Sequence, residues 1–222
     1  VGLGRASLED MITYEESHVV DGSGVLCALE PGAAFRVKDA ATLMIIVSDN
    51  IATNMIIDYL GIDTINACIG ELGCKDTVLY NSLHFDRFDR LGTTTARDYA
   101  SIFTRLAQGT LLNPESDRKM VEILKKQHYN SMITRNFPPV YMDSDNADQV
   151  LIHVASKSGS MDACRNDGGI IYTPYGPYVL VMLNKNFSDA MYYPDHPATV
   201  FGAKVSRMLL DQFLALEGRF TL

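Results

Sequence analysis

The 222-residue sequence lacks several things, and each absence closes off a class of function. It has no excess of positive charge: 19 Lys and Arg stand against 27 Asp and Glu, a net charge of -8. Phosphate binding needs clustered cations, so no nucleic-acid partner is expected. No apolar run approaches the roughly 18 residues of a membrane helix. The longest candidate, Ala40 to Val47, has the length of a buried helix. The cysteines Cys27, Cys68, Cys74 and Cys164 form no CxxC pair. With His18, His84, His128, His153 and His196 they give no metal-ligand spacing. They read as isolated thiols, and neither a metal nor an organic cofactor is expected. No repeat, low-complexity stretch or Pro-rich linker divides the chain. It opens on Val1-Gly2-Leu3-Gly4-Arg5, without a signal-peptide pattern, and the start at Val rather than Met leaves the compartment open.

What is present belongs to an ordinary globular protein, 47% apolar and 21% charged. One domain is expected over 1–222, mainly helical to about residue 148 and then an antiparallel sheet with a C-terminal helix. Lys38 to Val47 reads as a helix buried nearly all round. After a break at Ser48-Asp49-Asn50, a second helix covers Ile51 to Leu60 and stops at Gly61. Asp63 caps a third, ending at Gly73. Thr94 or Thr95 opens a helix to Gln108, and Asn113-Pro114 opens another to about Gln127. The period then changes. Val150 to Ser156, Gly169 to Thr173 and Tyr178 to Asn184 read as strands, the last two joined by a tight turn at Pro174-Tyr175-Gly176-Pro177. A final helix spans about Ala198 to Leu216. Helices, then strands, then a helix is an α+β order.

Two tripeptides carry the chemistry: Ser48-Asp49-Asn50 in a helix–helix break, and Lys157-Ser158-Gly159 at the end of an apolar strand. Either alone is common in turns. Together, with LMIIVSDNIATNMIIDYLG, GTTTARDYASIF and KSGSMDACRNDGGIIYTPYGPYVLVMLNK around them, they resemble the class A β-lactamases and the wider penicillin-recognising serine enzymes. The similarity runs from about Arg5 to near the C-terminus. It implies a β-lactamase/transpeptidase-like fold, a helical subdomain plus an antiparallel sheet flanked by helices, in a bacterial protein of a commonly exported family.

The resemblance assigns roles residue by residue. Ser48 relays a proton to the departing nitrogen, with the positive charge of Lys157 beside it. Asn50 holds the substrate's side-chain amide. Lys157 and Ser158 attract its carboxylate, Gly159 lets the strand approach, and the backbone N–H of Ser160 supplies half of an oxyanion hole. Asp49 braces the loop. The implied partner is a small β-lactam or peptide-like substrate.

Two features depart from the family pattern. No Ser-x-x-Lys precedes Ser48; the sole match, Ser116-Asp117-Arg118-Lys119, lies in the wrong order on a charged helix start. The resemblance places the nucleophile and two further strands upstream, with Gly2 to Asp10 as the turn leaving that helix. The 222 residues are therefore expected to be a fragment, a processed product or the partner of a separate N-terminal peptide, inactive alone. Second, where the family carries a glutamate in its omega loop, this chain has YNSLHFDRFDRLG. Asp86 and Asp89 are its carboxylates; either could stand in as the base, but pairing with Arg87 or Arg90 is expected. Three functions follow as expectations: a β-lactam, amide or ester hydrolase acting through an acyl-enzyme, a penicillin-binding protein that deacylates slowly, or a non-catalytic binding domain of the same fold.

Overall fold

The computed structural model describes residues 6–87, 90–142 and 151–219. The helical part begins with a small hairpin in which β1 (Met11–Thr13) pairs antiparallel with β2 (Ala34–Arg36), Ile12 opposite Phe35. Three helices follow: α1 (Val37–Ile46), α2 (Asn50–Leu60) and α3 (Ile62–Glu71). A two-residue ladder of β3 (Val78–Leu79) with β4 (Gly92–Thr93) brackets the next loop, and α4 (Ala96–Gln108) and α5 (Pro114–Leu124) complete this part. The helix starts are written locally. Asp49, Thr95 and Asn113 cap α2, α4 and α5 by accepting the backbone N–H of Ala52, Asp98 and Ser116. Gly109 closes α4 in the left-handed conformation.

The sheet has the order β5 (His153–Met161), β6 (Cys164–Thr173) and β7 (Gly176–Lys185), all antiparallel. It is covered on both faces. Ala155 and Ile170 pack with Phe103, Leu106, Val121 and Leu124 of α4 and α5. Ile152 and Ile171 pack on the other face with Ile133, Phe137 and Leu210, the last from α6 (Pro197–Ala215). Ile170 and Ile171 are adjacent and both fully buried because successive strand residues point to opposite faces. A third core joins Tyr14, Ala40, Ile51 and Met55 under α1 and α2.

The α+β order and hairpin match the sequence reading, with four corrections. Strand β5 continues to Met161, so Lys157-Ser158-Gly159 lies within the strand and not at its end. Strand β6 begins at Cys164, five residues before the apolar run, because Arg165 and Asp167 satisfy their charged groups internally. Helix α3 starts at Ile62 with Gly61 as its cap residue, leaving Asp63 in the first turn. Helix α1 is not buried all round: Val37 and Ala40 are buried, while Leu43, Met44, Ile45 and Ile46 are half-buried. It packs on α2, α5 and β2. The predicted strand start at Val150 lies outside the described residues.

Candidate active site

The site forms where the α1–α2 break meets strand β5. Ser48 sits in that break with φ 51°, a left-handed conformation that strains a residue bearing a Cβ. Such strain is of order 1–3 kcal/mol and persists when the surroundings enforce it. Here they do. Asp49 is fully buried; its carboxylate accepts Val25 N–H at 2.6 Å and Leu26 N–H at 2.9 Å, as well as capping α2. Ser23 Oγ donates to the Ser48 carbonyl at 2.7 Å. Asn50 donates its backbone N–H to Ser23 O and its side-chain Nδ2 to Asp21 O. The loop 21–26 thus grips all three residues of the break.

From the other side, Lys157 Nζ donates to Ser48 Oγ at 2.9 Å, joining residues 109 apart. It also donates to the Ser158 carbonyl. Lys157 shares the α4–α5 face of the strand with Ala155, and Ser158 leaves on the opposite face. Among the described residues strand β5 is an outer strand of the sheet, so both faces border the same edge. Gly159 and Ser160 are exposed, and a Cβ at Gly159 would meet open space. Ser160 stands opposite Arg165 in the β5–β6 register.

Burial pushes the Lys157 amine down from its ordinary value to about 8, with the charge of Asp167 acting against the shift. The same cause raises the Asp167 carboxyl to about 6, opposed by the Ile133 and Gly168 N–H groups it accepts and by Lys157. Tyr99, from α4, donates its hydroxyl to the Lys157 carbonyl at 2.7 Å. Its ring lies on Gly168, the residue opposite Lys157, where a Cβ would come within 2.7 Å of Tyr99 Cε1.

The loop after β3 is tied to α2 by Asn54, a buried side chain that accepts Leu83 N–H at 2.7 Å and donates to Leu83 O at 3.1 Å. Asp86 is exposed and lies 3.8 Å from Arg87. The Arg90 guanidinium stacks over Tyr80 at 4.2 Å. Asp89 lies outside the described residues. Ser116-Asp117-Arg118-Lys119 is far from this chemistry by role: Lys119 pairs with Glu115, and buried Asp117 accepts the N–H groups of Leu111 and Leu112.

The sequence model of the β-lactamase enzyme family matches residues 1–213. The chain belongs to that family. Solved structures agree with the β-lactamase assignment. A β-lactamase from Sphaerobacter thermophilus is 29% identical with a TM-score of 0.81, over 96% of this chain and 76% of that one. PBP-A is 28% identical with a TM-score of 0.80, over 96% and 75%. A class A β-lactamase from Bacteroides cellulosilyticus, 19% identical over 96% and 78%, shares the fold at a TM-score of 0.76. No curated protein sequence matches the chain.

Within this β-lactamase-family site, sequence reasoning missed Ser23, Asn54, Tyr99 and Asp167. Ser23 had a signal in the Gly22-Ser23-Gly24 run, which marks a tight turn but not what the turn grips. Tyr99 follows the cap Thr95 by one helical turn and carries no local mark of its partner, 58 residues away.

Proposed function

We propose that this chain forms the proton-relay and carboxylate-binding wall of a serine acyl-transfer site that opens β-lactams or related amides and esters through an acyl-enzyme. The observation that carries the reading is the 2.9 Å bond from Lys157 Nζ to Ser48 Oγ. A hydroxyl that accepts from an ammonium keeps its own proton free to pass to a departing nitrogen, and the ammonium can replace it. The charge of Lys157 and the hydroxyl of Ser158 attract a substrate carboxylate at the edge of β5. Asn50 keeps one N–H and one lone-pair direction for the substrate's amide, and the Ser160 N–H faces the developing oxyanion. A Ser-x-x-Lys nucleophile is not found ahead of Ser48 within residues 1–222.

The test is turnover of a chromogenic cephalosporin by the protein as its gene expresses it, beside the Lys157→Ala variant. Loss of about 10²-fold or more in kcat/KM is expected, the scale of removing a group that stabilises transition-state charge. Unchanged turnover in Lys157→Ala would sink these roles. A second reading, acylation with slow deacylation, is favoured by the exposure of Asp86 and its pairing with Arg87. A penicillin adduct that survives for hours by intact mass, with little cephalosporin turnover, would decide for it. One solved structure of PBP-A, a mutant, is an acyl-enzyme complex with penicillin G.

A further inference from the structure

The loop 21–26 contacts the Ser48-Asp49-Asn50 break residue by residue. The Asp21 carbonyl takes Asn50 Nδ2, and the Val25 and Leu26 N–H groups take Asp49 Oδ2. Gly22 and Gly24 hold φ near +118° and +120°. A Cβ on Gly22 would lie 2.4 Å from Asn50 Nδ2, and one on Gly24 2.3 Å from Asp49 Oδ2 and 2.6 Å from Asp49 Cα. Both glycines therefore allow a close approach no other residue permits. Between them Ser23 projects one hydroxyl, whose 2.7 Å bond to the Ser48 carbonyl has the length of a good O–H···O bond. Its contact with Asn50 Oδ1 is longer, at 3.4 Å.

We infer that Ser23 is a positioning residue for Ser48: its hydroxyl holds the Ser48 carbonyl so that the strained backbone presents Oγ to Lys157 Nζ. Without that bond, the peptide after Ser48 keeps only the 3.2 Å bond from Asp49 N–H to the Leu43 carbonyl, the left-handed conformation relaxes, and Oγ swings away from the ammonium. The asparagine and aspartate of the break keep their backbone partners in the loop, and Asn50 loses only the long 3.4 Å contact at its Oδ1, so the change falls mainly on Ser48. The inference rests on the acyl-transfer reading, for which Ser48 is the relay.

The experiment is a double-mutant cycle of Ser23→Ala and Ser48→Ala in the protein as its gene expresses it, with Ser23→Thr as the conservative variant. Ser23→Ala is expected to lower kcat by about 10- to 100-fold, the scale of a small misplacement of a reacting group. KM should move by less than about twofold, since the groups that hold the substrate carboxylate are untouched and Asn50, which holds its amide, loses only a 3.4 Å contact. Ser23→Thr should restore kcat, and Ser23→Ala should add nothing in a Ser48→Ala background. An equal loss in both backgrounds overturns the inference. If the parent protein shows no turnover, the acyl-transfer reading fails by itself, and the cycle is read from the NMR titration of Lys157. Asp167 from β6 and Tyr99 from α4, the other titratable groups at Lys157, are common to every variant. A hydrogen bond to the ammonium favours its charged form, so Ser48→Ala and Ser23→Ala should lower the Lys157 titration alike, and together no further. An unmoved Lys157 titration in Ser23→Ala overturns the inference.

Discussion

At the scale of single residues, the decisive contest is over the proton of Lys157. Removal from water disfavours its ammonium, and Asp167 restores part of the charge's stability, leaving it near 8 instead of 10.5. The proposed chemistry uses the ammonium form, which donates to Ser48 and attracts a carboxylate. Turnover is therefore expected to fall as pH rises through about 8, and a pH profile of kcat/KM measures this. Lys157→Arg should move that alkaline limb upward, because a guanidinium stays charged. A limb unmoved by the substitution would assign it to another group. Stability should change with the opposite sign. The folded-state value lies below the unfolded one, so between about 8 and 10.5 the unfolded chain binds more protons. Stability linked to Lys157 thus rises with pH across that window, and urea midpoints at pH 7.5 and pH 10 for the parent and Lys157→Met should separate the contribution.

At the scale of elements, one aromatic ring ties α4 to the sheet beside Lys157. Tyr99 lies on Gly168, meets the Phe103 ring at a tilt with a centroid distance of 5.0 Å and reaches the Lys157 carbonyl. Gly168→Ala would push a methyl into that ring at 2.7 Å, an overpacking that costs about 1–3 kcal/mol. The loss should shrink in a Tyr99→Ala background, where the methyl has room. Urea unfolding of the four proteins checks this, and an additive result would mean that Gly168 is tight against something other than Tyr99. The same junction shows what a sequence can disclose. The α4 start at Thr94 or Thr95, the cap Asn113, the hairpin and the two tripeptides depend on residues a few positions apart, so local pattern located them. The start of β6 did not show, because Arg165 and Asp167 look like turn residues until their distant partners are known: the Met191 carbonyl for one, the Ile133 N–H for the other. Ser23, Asn54 and Tyr99 were hidden for the same reason. Each binds a backbone group 25 to 58 residues away, and backbone groups leave no trace in side-chain pattern.

At the scale of the whole molecule, surface is the informative quantity. The chain exposes 12744 Å², whereas a compact monomer of 24.6 kDa exposes about 10000 Å². Part of the exposed surface is apolar. Helix α1 leaves Leu43, Met44 and Ile46 half-buried, and α6 presents Phe201 and Met208, two turns apart, at 63% and 64% exposure. Among the described residues the sheet has two outer strands of nine and ten residues, β5 and β7, whose outward backbone groups can pair with another strand. Apolar surface and open strand edges drive self-association at micromolar concentration and above. Residues 1–222 produced alone should therefore elute earlier in size exclusion as loading rises from about 1 to 100 µM, with light scattering reporting a mass above 24.6 kDa. Phe201→Glu with Met208→Glu removes the α6 stripe but leaves both strand edges. If the helix face drives association, that pair abolishes the concentration dependence. If the sheet edges do, the pair leaves it intact and a lysine placed on β7 abolishes it instead. A constant monomer mass over the whole range would show that the half-buried face of α1 and the strand edges are shielded in solution by the chain itself.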